Sequence, residues 1–176
     1  MKKIFEILVL FFLSVSLCSC PYSSAYNIDE TAGIYVEDVL LGKWLAMVKS
    51  SNGRDEPVIV HLSRKTDTEY NITFTGYLED LRRFNVVTAD SITGTAFMST
   101  INGMQFFNIS INSRIYIAEL KLKNNNLSLL PLAEHFTNKM IFSSEALRKS
   151  VDVHYKTRVH PVFDENFCLK NMAKLD

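Results

Sequence analysis

The chain has little cysteine, glycine or proline: its 176 residues include 3 Cys, 6 Gly and 4 Pro. So little glycine excludes a collagen-like repeat, and so little cysteine excludes a small domain held together by many disulfides. Neither sign of charge is in excess, because 19 basic residues balance 19 acidic ones. This balance argues against a dedicated nucleic-acid-binding protein, which normally has a basic surplus. With 47% hydrophobic residues, the chain has enough apolar surface to fold around a core.

The first twenty residues have the layout of a secretory signal peptide. Lys2 and Lys3 form a short positive region, and an apolar stretch over 7–15 follows. As a helix, the run 4–17 would span about 21 Å, less than the roughly 30 Å of a bilayer's hydrocarbon core. The sequence therefore favours a cleaved signal over a permanent membrane span.

The end of this segment, Leu17-Cys18-Ser19-Cys20, resembles the lipobox of bacterial lipoproteins. That motif has an aliphatic residue three positions before the acylated cysteine and a small residue directly before it. Acylation of Cys18 would put the bulky Leu17 in the small position, so we assign cleavage between Ser19 and Cys20 and lipidation to Cys20. The resemblance implies a diacylglycerol and a third acyl chain on Cys20, which anchor the protein to a membrane at about 0.8 kcal/mol per buried CH₂. Ordinary secretion and an uncleaved anchor are the alternatives.

The resemblance also implies a place and a division of the chain. It predicts a bacterial cell-envelope protein on a membrane that faces the periplasm, and Pro21 in place of a retention-linked Asp favours the outer membrane. We expect a signal peptide over 1–19, the lipidated cysteine and a flexible tether over 20–38, and a β-rich domain with a C-terminal helix over 39–176. After processing, Cys168 is the one thiol left, and we expect it to be a small buried hydrophobic residue.

Strand patterns dominate from residue 39 onward. Apolar runs and alternation of apolar with polar residues predict about seven strands in consecutive hairpins, an antiparallel meander, near 40–48, 58–62, 70–75, 95–101, 104–111, 114–123 and 127–130. Asn102-Gly103 predicts a type I′ turn between two of them. The pattern over 144–155 then changes to a helical period, with Leu147, Val151 and Tyr155 on one face. We expect this helix to cover an open barrel end or an exposed sheet edge.

Gly42-Lys43-Trp44 is similar to the Gly-x-Trp that opens the first strand of lipocalins. The resemblance implies a mainly β fold in which the meander closes into a lipocalin-like barrel with a C-terminal helix. An open sheet or a small sandwich is the alternative. The order of Gly-x-Trp, Asn-Gly hairpin and helix also resembles small uncharacterised bacterial lipoproteins, a resemblance that implies no activity.

No residue pattern indicates catalysis, a metal or a cofactor. The four histidines are not spaced as metal ligands, and neither a Gly-x-Ser-x-Gly elbow nor a glycine-rich phosphate loop is present in the sequence. We therefore expect a protein that is not an enzyme.

Aromatic residues leave two functions open. Trp44, Phe74, Phe97 and Phe106 could line a ligand cavity or fill a packed core. Phe106 and Phe107 are adjacent, so in a regular strand one of them faces out of the barrel, against the helix or a partner. The preferred hypothesis is a non-catalytic structural or protein-interaction role with an envelope protein partner. The alternative is a carrier of a small apolar ligand.

Overall fold

Eight antiparallel strands form a closed barrel; the antiparallel meander and its closure are as predicted, but the sequence analysis predicted about seven strands. The computed structural model describes residues 21–78, 91–137, 139–157 and 162–175, so the signal peptide and Cys20 lie outside the described residues. Each strand from β2 (Gly42–Lys49) to β8 (Asn126–Pro131) pairs with the next one in sequence, and β9 (Leu169–Leu175) pairs with both β8 and β2. The first and last strands of the barrel therefore meet, which excludes the open sheet and the sandwich.

Nine strands, one α-helix and two 3-10 turns make up the described part of the chain. The strands are β1 (Ser23–Ser24), β2 (Gly42–Lys49), β3 (Asp55–Arg64), β4 (Glu69–Gly76), β5 (Ser91–Ile101), β6 (Met104–Ile111), β7 (Arg114–Lys123), β8 (Asn126–Pro131) and β9 (Leu169–Leu175). The helix α1 spans Ser144–Thr157, and short 3-10 turns occupy Asp38–Leu40 and Glu165–Phe167. We call the barrel end where β2 leads into β3 the upper end, and the opposite end the lower end.

Two-residue turns set the register at the hairpins that follow β5, β6 and β7. Asn102 and Gly103 both have positive φ, 50° and 80°, as the predicted type I′ turn requires. Asn112-Ser113 and Asn124-Asn125 repeat this pattern with φ between 49° and 63°. Asparagine tolerates positive φ better than most residues, which explains its use at all three turns.

The sequence pattern did not predict β9, which closes the barrel. Of its seven residues only Met172 is fully buried, and Asn171 interrupts the strand with a φ of 53°. A register shift between Leu127 and Leu129 on β8 lies opposite this irregularity. A short, mostly polar strand with a bulge has too little alternation to be recognised locally.

The barrel wall lies between two hydrophobic cores. The inner core fills the barrel, and the outer core lies between the wall and α1. Phe107 belongs to the inner core and Phe106 to the outer one, each fully buried, as their adjacent positions on β6 predict. On β7, Ile117 faces outward and its neighbour Ala118 inward, and the β6–β7 register runs without a bulge. Both faces of this part of the wall are therefore buried.

The helix α1 packs on the outside of the barrel wall and not, as we expected, over an open end or a sheet edge. Leu147 and Val151 are fully buried against the wall, and Tyr155 meets Phe106 edge-on at a ring distance of 5.7 Å. Arg148 donates two hydrogen bonds to the Thr100 carbonyl oxygen, at 2.9 and 2.7 Å. The helix goes to this place because the outward side chains of β5 to β7 are apolar and would otherwise face water.

Residues 21–38, expected from the sequence to be a flexible tether, lie against the barrel. Pro21 forms a bridge with Ala133 at the upper end, and β1 pairs with the upper part of β7. Ile28 is buried in the outer core, and its N–H donates to the Asn108 side chain. Buried apolar residues within a polar segment hold it in place, although the composition of this segment is typical of a linker.

Candidate ligand-binding cavity

The upper half of the barrel contains a cavity of about 320 Å³. This volume lies in the lower part of the range of about 300–1,000 Å³ that is usual for small-molecule sites. Inward-facing strand residues form its wall: Val48, Val58, Phe74, Ile92, Ile109, Ile111, Tyr116, Ala118 and Leu129. Its remaining lining residues are Pro21, Lys49, Tyr77, Leu78, Pro131 and Glu165, Asn166, Phe167, Cys168 and Leu169.

The cavity arises from a gradient of side-chain size along the strands. On β2 the bulky Trp44 fills the lower end, and the smaller Ala46 and Val48 follow above it. On β6 the large Phe107 lies low, and Ile109 follows above it. Ala118 on β7 adds almost no volume to the upper half. Large residues therefore fill one half of the barrel, and the other half keeps free space.

Aromatic side chains and the segment before β2 close the lower half. The Trp44 indole Nε1 donates to the Leu40 carbonyl oxygen at 2.9 Å, and the Tyr70 hydroxyl accepts from the Glu37 N–H at 2.8 Å. The Tyr70 and Phe107 rings are 5.1 Å apart. Burial raises the pKa of Tyr70 above its ordinary value, so this phenol is neutral throughout the physiological range. The floor of the cavity is therefore a packed, uncharged layer.

Charged groups occur at the upper rim of the cavity. Lys49 lies 3.3 Å from Asp55, and both side chains are exposed. Glu165 pairs with Lys170, again at the surface. The interior wall between rim and floor is aliphatic and aromatic. Such a site suits an apolar chain whose polar end, if it has one, stays at the rim.

Cys168 is half-buried in the cavity lining and not fully buried as the sequence analysis expected. Burial, assisted by the negative charge of Glu165, raises the pKa of its thiol to about 11. At neutral pH the sulfur is therefore protonated. A protonated thiol is a poor nucleophile, so this residue contributes surface to the cavity rather than chemistry.

The four aromatic residues singled out in the sequence go to different places. Trp44 lies in the packed lower half, and Phe74 lines the cavity. Phe97 lies between the inward-facing Ala96 and Met98 on β5, so it faces outward and is partly buried. Phe106 lies under α1. Only Phe74 of these four is part of the cavity lining, because strand parity separates residues that look equivalent in composition.

Sequence reasoning did not select Ile109, Ala118 or Pro21 as cavity residues. Ile109 and Ala118 could have been found by extending the inward parity of Phe107 and Leu120 along β6 and β7. Pro21 carries no such local signal. Its position depends on the bridge to Ala133 and on the hydrogen bond from the Tyr22 N–H to the Leu132 carbonyl oxygen, 2.8 Å long.

The described part of the chain gives no sign of a metal centre. No three His, Cys, Asp or Glu side chains converge within it as a metal site would require. Within the same residues, no helix is both long and apolar enough to cross a membrane. In comparisons with known proteins, no family model, no curated protein and no solved structure matches the chain.

Proposed function

We propose that this protein is a lipid-anchored, non-catalytic lipoprotein of the bacterial cell envelope that carries a small apolar ligand in its barrel. The observation that carries the proposal is the apolar cavity of about 320 Å³ above the packed floor. The resemblance of 17–20 to a lipobox supports the anchor on Cys20. Because the cavity is small and its wall is apolar, the ligand class is a single hydrocarbon chain, such as that of a fatty acid.

The expected affinity follows from the hydrophobic effect. Each methylene moved from water into the cavity contributes about 0.8 kcal/mol, so roughly ten methylenes contribute about 8 kcal/mol. Association itself costs part of this amount. The Kd for a fatty acid is therefore expected to be about 1 µM or weaker.

Trp44 allows a direct test, because it is the single tryptophan of the chain and lies below the cavity. The lipidated protein is titrated with cis-parinaric acid, and energy transfer from Trp44 to the bound polyene reports binding. Ala118→Phe puts a ring into the cavity. Excluding even two methylenes costs about 1.6 kcal/mol, so the affinity should fall more than about tenfold.

Ala173→Phe is the matched control, since Ala173 is exposed on β9 and lies outside the cavity lining. It should bind the probe as the unmodified protein does. Saturable binding that Ala118→Phe leaves unchanged would rule out the cavity as the site. No binding to any of the three proteins would refute the carrier function.

A protein-interaction role is the second candidate, and two exposed residues favour it. Met140 and Phe142, which precede α1, are 77% and 69% exposed. Neighbouring exposed apolar side chains are typical of contact surfaces. Crosslinking in intact membranes should recover a partner that a Met140→Ser, Phe142→Ser double variant loses. An unchanged set of crosslinked proteins would exclude this surface.

A further inference from the structure

The first described residue, Pro21, lies at the cavity, and what we infer from this position rests on the proposed function. Pro21 is buried, lines the cavity and is fixed by its bridge to Ala133, two residues after the end of β8. The residue that would carry the acyl chains, Cys20, is bonded directly to Pro21. Successive Cα atoms are about 3.8 Å apart. An acyl chain on Cys20 would therefore be attached one residue away from the cavity lining.

The residues that follow Pro21 are held against the barrel and do not act as a flexible tether. β1 pairs with β7 through Ser23 and Ser24, and the Tyr22 N–H is hydrogen-bonded to the Leu132 carbonyl oxygen. Ile28, further along, is 1% exposed. A free tether of about eleven residues would let the domain drift about 18 Å from the anchor. Because these residues are packed, the upper rim stays at the surface in which the acyl chains are embedded.

We propose that the cavity takes its ligand directly from the bilayer: an acyl chain of a membrane lipid enters the upper half of the barrel while its headgroup stays at the interface. The transfer costs little, because a methylene moves from one apolar environment to another and never meets water. Passage through water would instead expose every methylene, at about 0.8 kcal/mol each. The position of Pro21 thus determines the route of loading as well as the place of anchoring.

Trp44 again provides the measurement. The lipidated full chain is anchored in vesicles of phosphatidylethanolamine and phosphatidylglycerol that contain a phosphatidylethanolamine with one parinaroyl chain. A two-chain lipid leaves a bilayer for water very slowly, so it can reach the cavity only from the membrane. Insertion of its labelled chain brings the polyene next to the packed floor, and excitation of Trp44 should give strong sensitised emission.

Two variants decide the result. The first has a flexible Gly/Ser spacer of about 20 residues between Cys20 and Pro21, with a root-mean-square length of about 25 Å. The spacer begins with proline so that the acylated cysteine keeps its neighbour. The second is Ala118→Phe. We expect both to lose most of the sensitised emission, whereas Ala173→Phe keeps it.

Free cis-parinaric acid in solution separates the loading route from the carrier function. If the spacer variant binds the free acid normally but loses emission from the anchored lipid, direct loading is supported. Emission that the spacer leaves unchanged would overturn direct loading and leave the carrier function intact. Emission that persists in Ala118→Phe would show that Trp44 is merely near the bilayer and would also overturn it. Failure of every protein to bind the free acid would refute both proposals.

A further arm tests whether the protein's own acyl chain fills the cavity. In that case the lipidated chain would bind no free acid, while the full-length Cys20→Ser variant would bind it. That result would overturn loading from membrane lipids. Equal binding by both proteins is the result that the proposal requires.

Discussion

Asn108 is the residue on which the docking of the N-terminal segment depends most directly. It lies on the outward face of β6 and is 1% exposed. Its Oδ1 accepts a hydrogen bond from the Ile28 N–H at 2.6 Å, and its Nδ2 donates to Ser99 Oγ at 2.8 Å and to the Phe97 carbonyl oxygen at 3.3 Å. One amide thus joins residues 21–38 to two strands of the wall. The substitution Asn108→Ala removes all three bonds at once.

The expected cost can be estimated from these contacts. The Ile28 N–H, buried without a partner, costs about 1–3 kcal/mol, and each remaining bond contributes about 0.5–1.5 kcal/mol. Because the Phe97 bond is long, we expect a loss of about 2–4 kcal/mol in the free energy of unfolding. That is a large fraction of the 5–15 kcal/mol that is typical of a domain.

Urea denaturation measures the global effect, and hydrogen exchange measures the local one. The Ile28 amide should lose protection in Asn108→Ala, and residues 22–30 should become more accessible to protease, while the β2–β4 amides change much less. Asn71→Ala is the control, because Asn71 is also on a strand but is exposed. If both variants lose the same small amount of stability and Ile28 stays protected, the N-terminal segment is not held in the way that we describe.

Three further predictions concern the strand contacts, the thiol and the outer core. Gly94→Ala should destabilise the barrel by about 1–3 kcal/mol in urea denaturation, because a Cβ there would lie 2.3 Å from the Ser110 carbonyl oxygen; unchanged stability would contradict that close approach. Cys168 should react with a thiol reagent at pH 8 about 100-fold more slowly than an unperturbed cysteine, since its pKa rises from 9.0 to about 11. Because the folded state favours the protonated thiol, its contribution to stability is present below pH 9 and is lost as the pH rises towards 11. Phe106→Ala should cost about 3–5 kcal/mol, and a double-mutant cycle with Tyr155→Ala should give a coupling of about 0.5–1.5 kcal/mol; zero coupling would contradict the edge-on contact.

Local patterns predicted most of the barrel. β2 to β8 coincide with the seven predicted strands to within a few residues, because alternation and apolar runs act over the length of one strand. Asn102-Gly103 fixed one hairpin through its backbone preference for positive φ. The predicted apolar face of α1 is the buried one, and Ser143, whose Oγ accepts from the Ala146 N–H, caps its first turn.

Long-range contacts decided the features that the local patterns did not predict. β9 has few apolar residues and exists because both barrel edges, β2 and β8, offer it hydrogen bonds. The segment 21–38 has the composition of a linker, yet Asn108 and the outer core hold it against the wall. Ile28 and Asn108 are 80 residues apart along the chain, so no local pattern contains their contact.

For β2 to β8, the sequence by itself determined the order of the strands, their turns and the alternation of side chains between the two faces, because these depend on neighbours a few residues away. Three features depend instead on how eight strands close into a ring. They are the free space in the upper half, the burial of Phe106 under α1 and the position of Pro21 in the cavity lining. Closure brings together side chains that are far apart in the chain, and their combined volume then decides which half of the barrel is filled. Pattern and composition contain no measure of that volume.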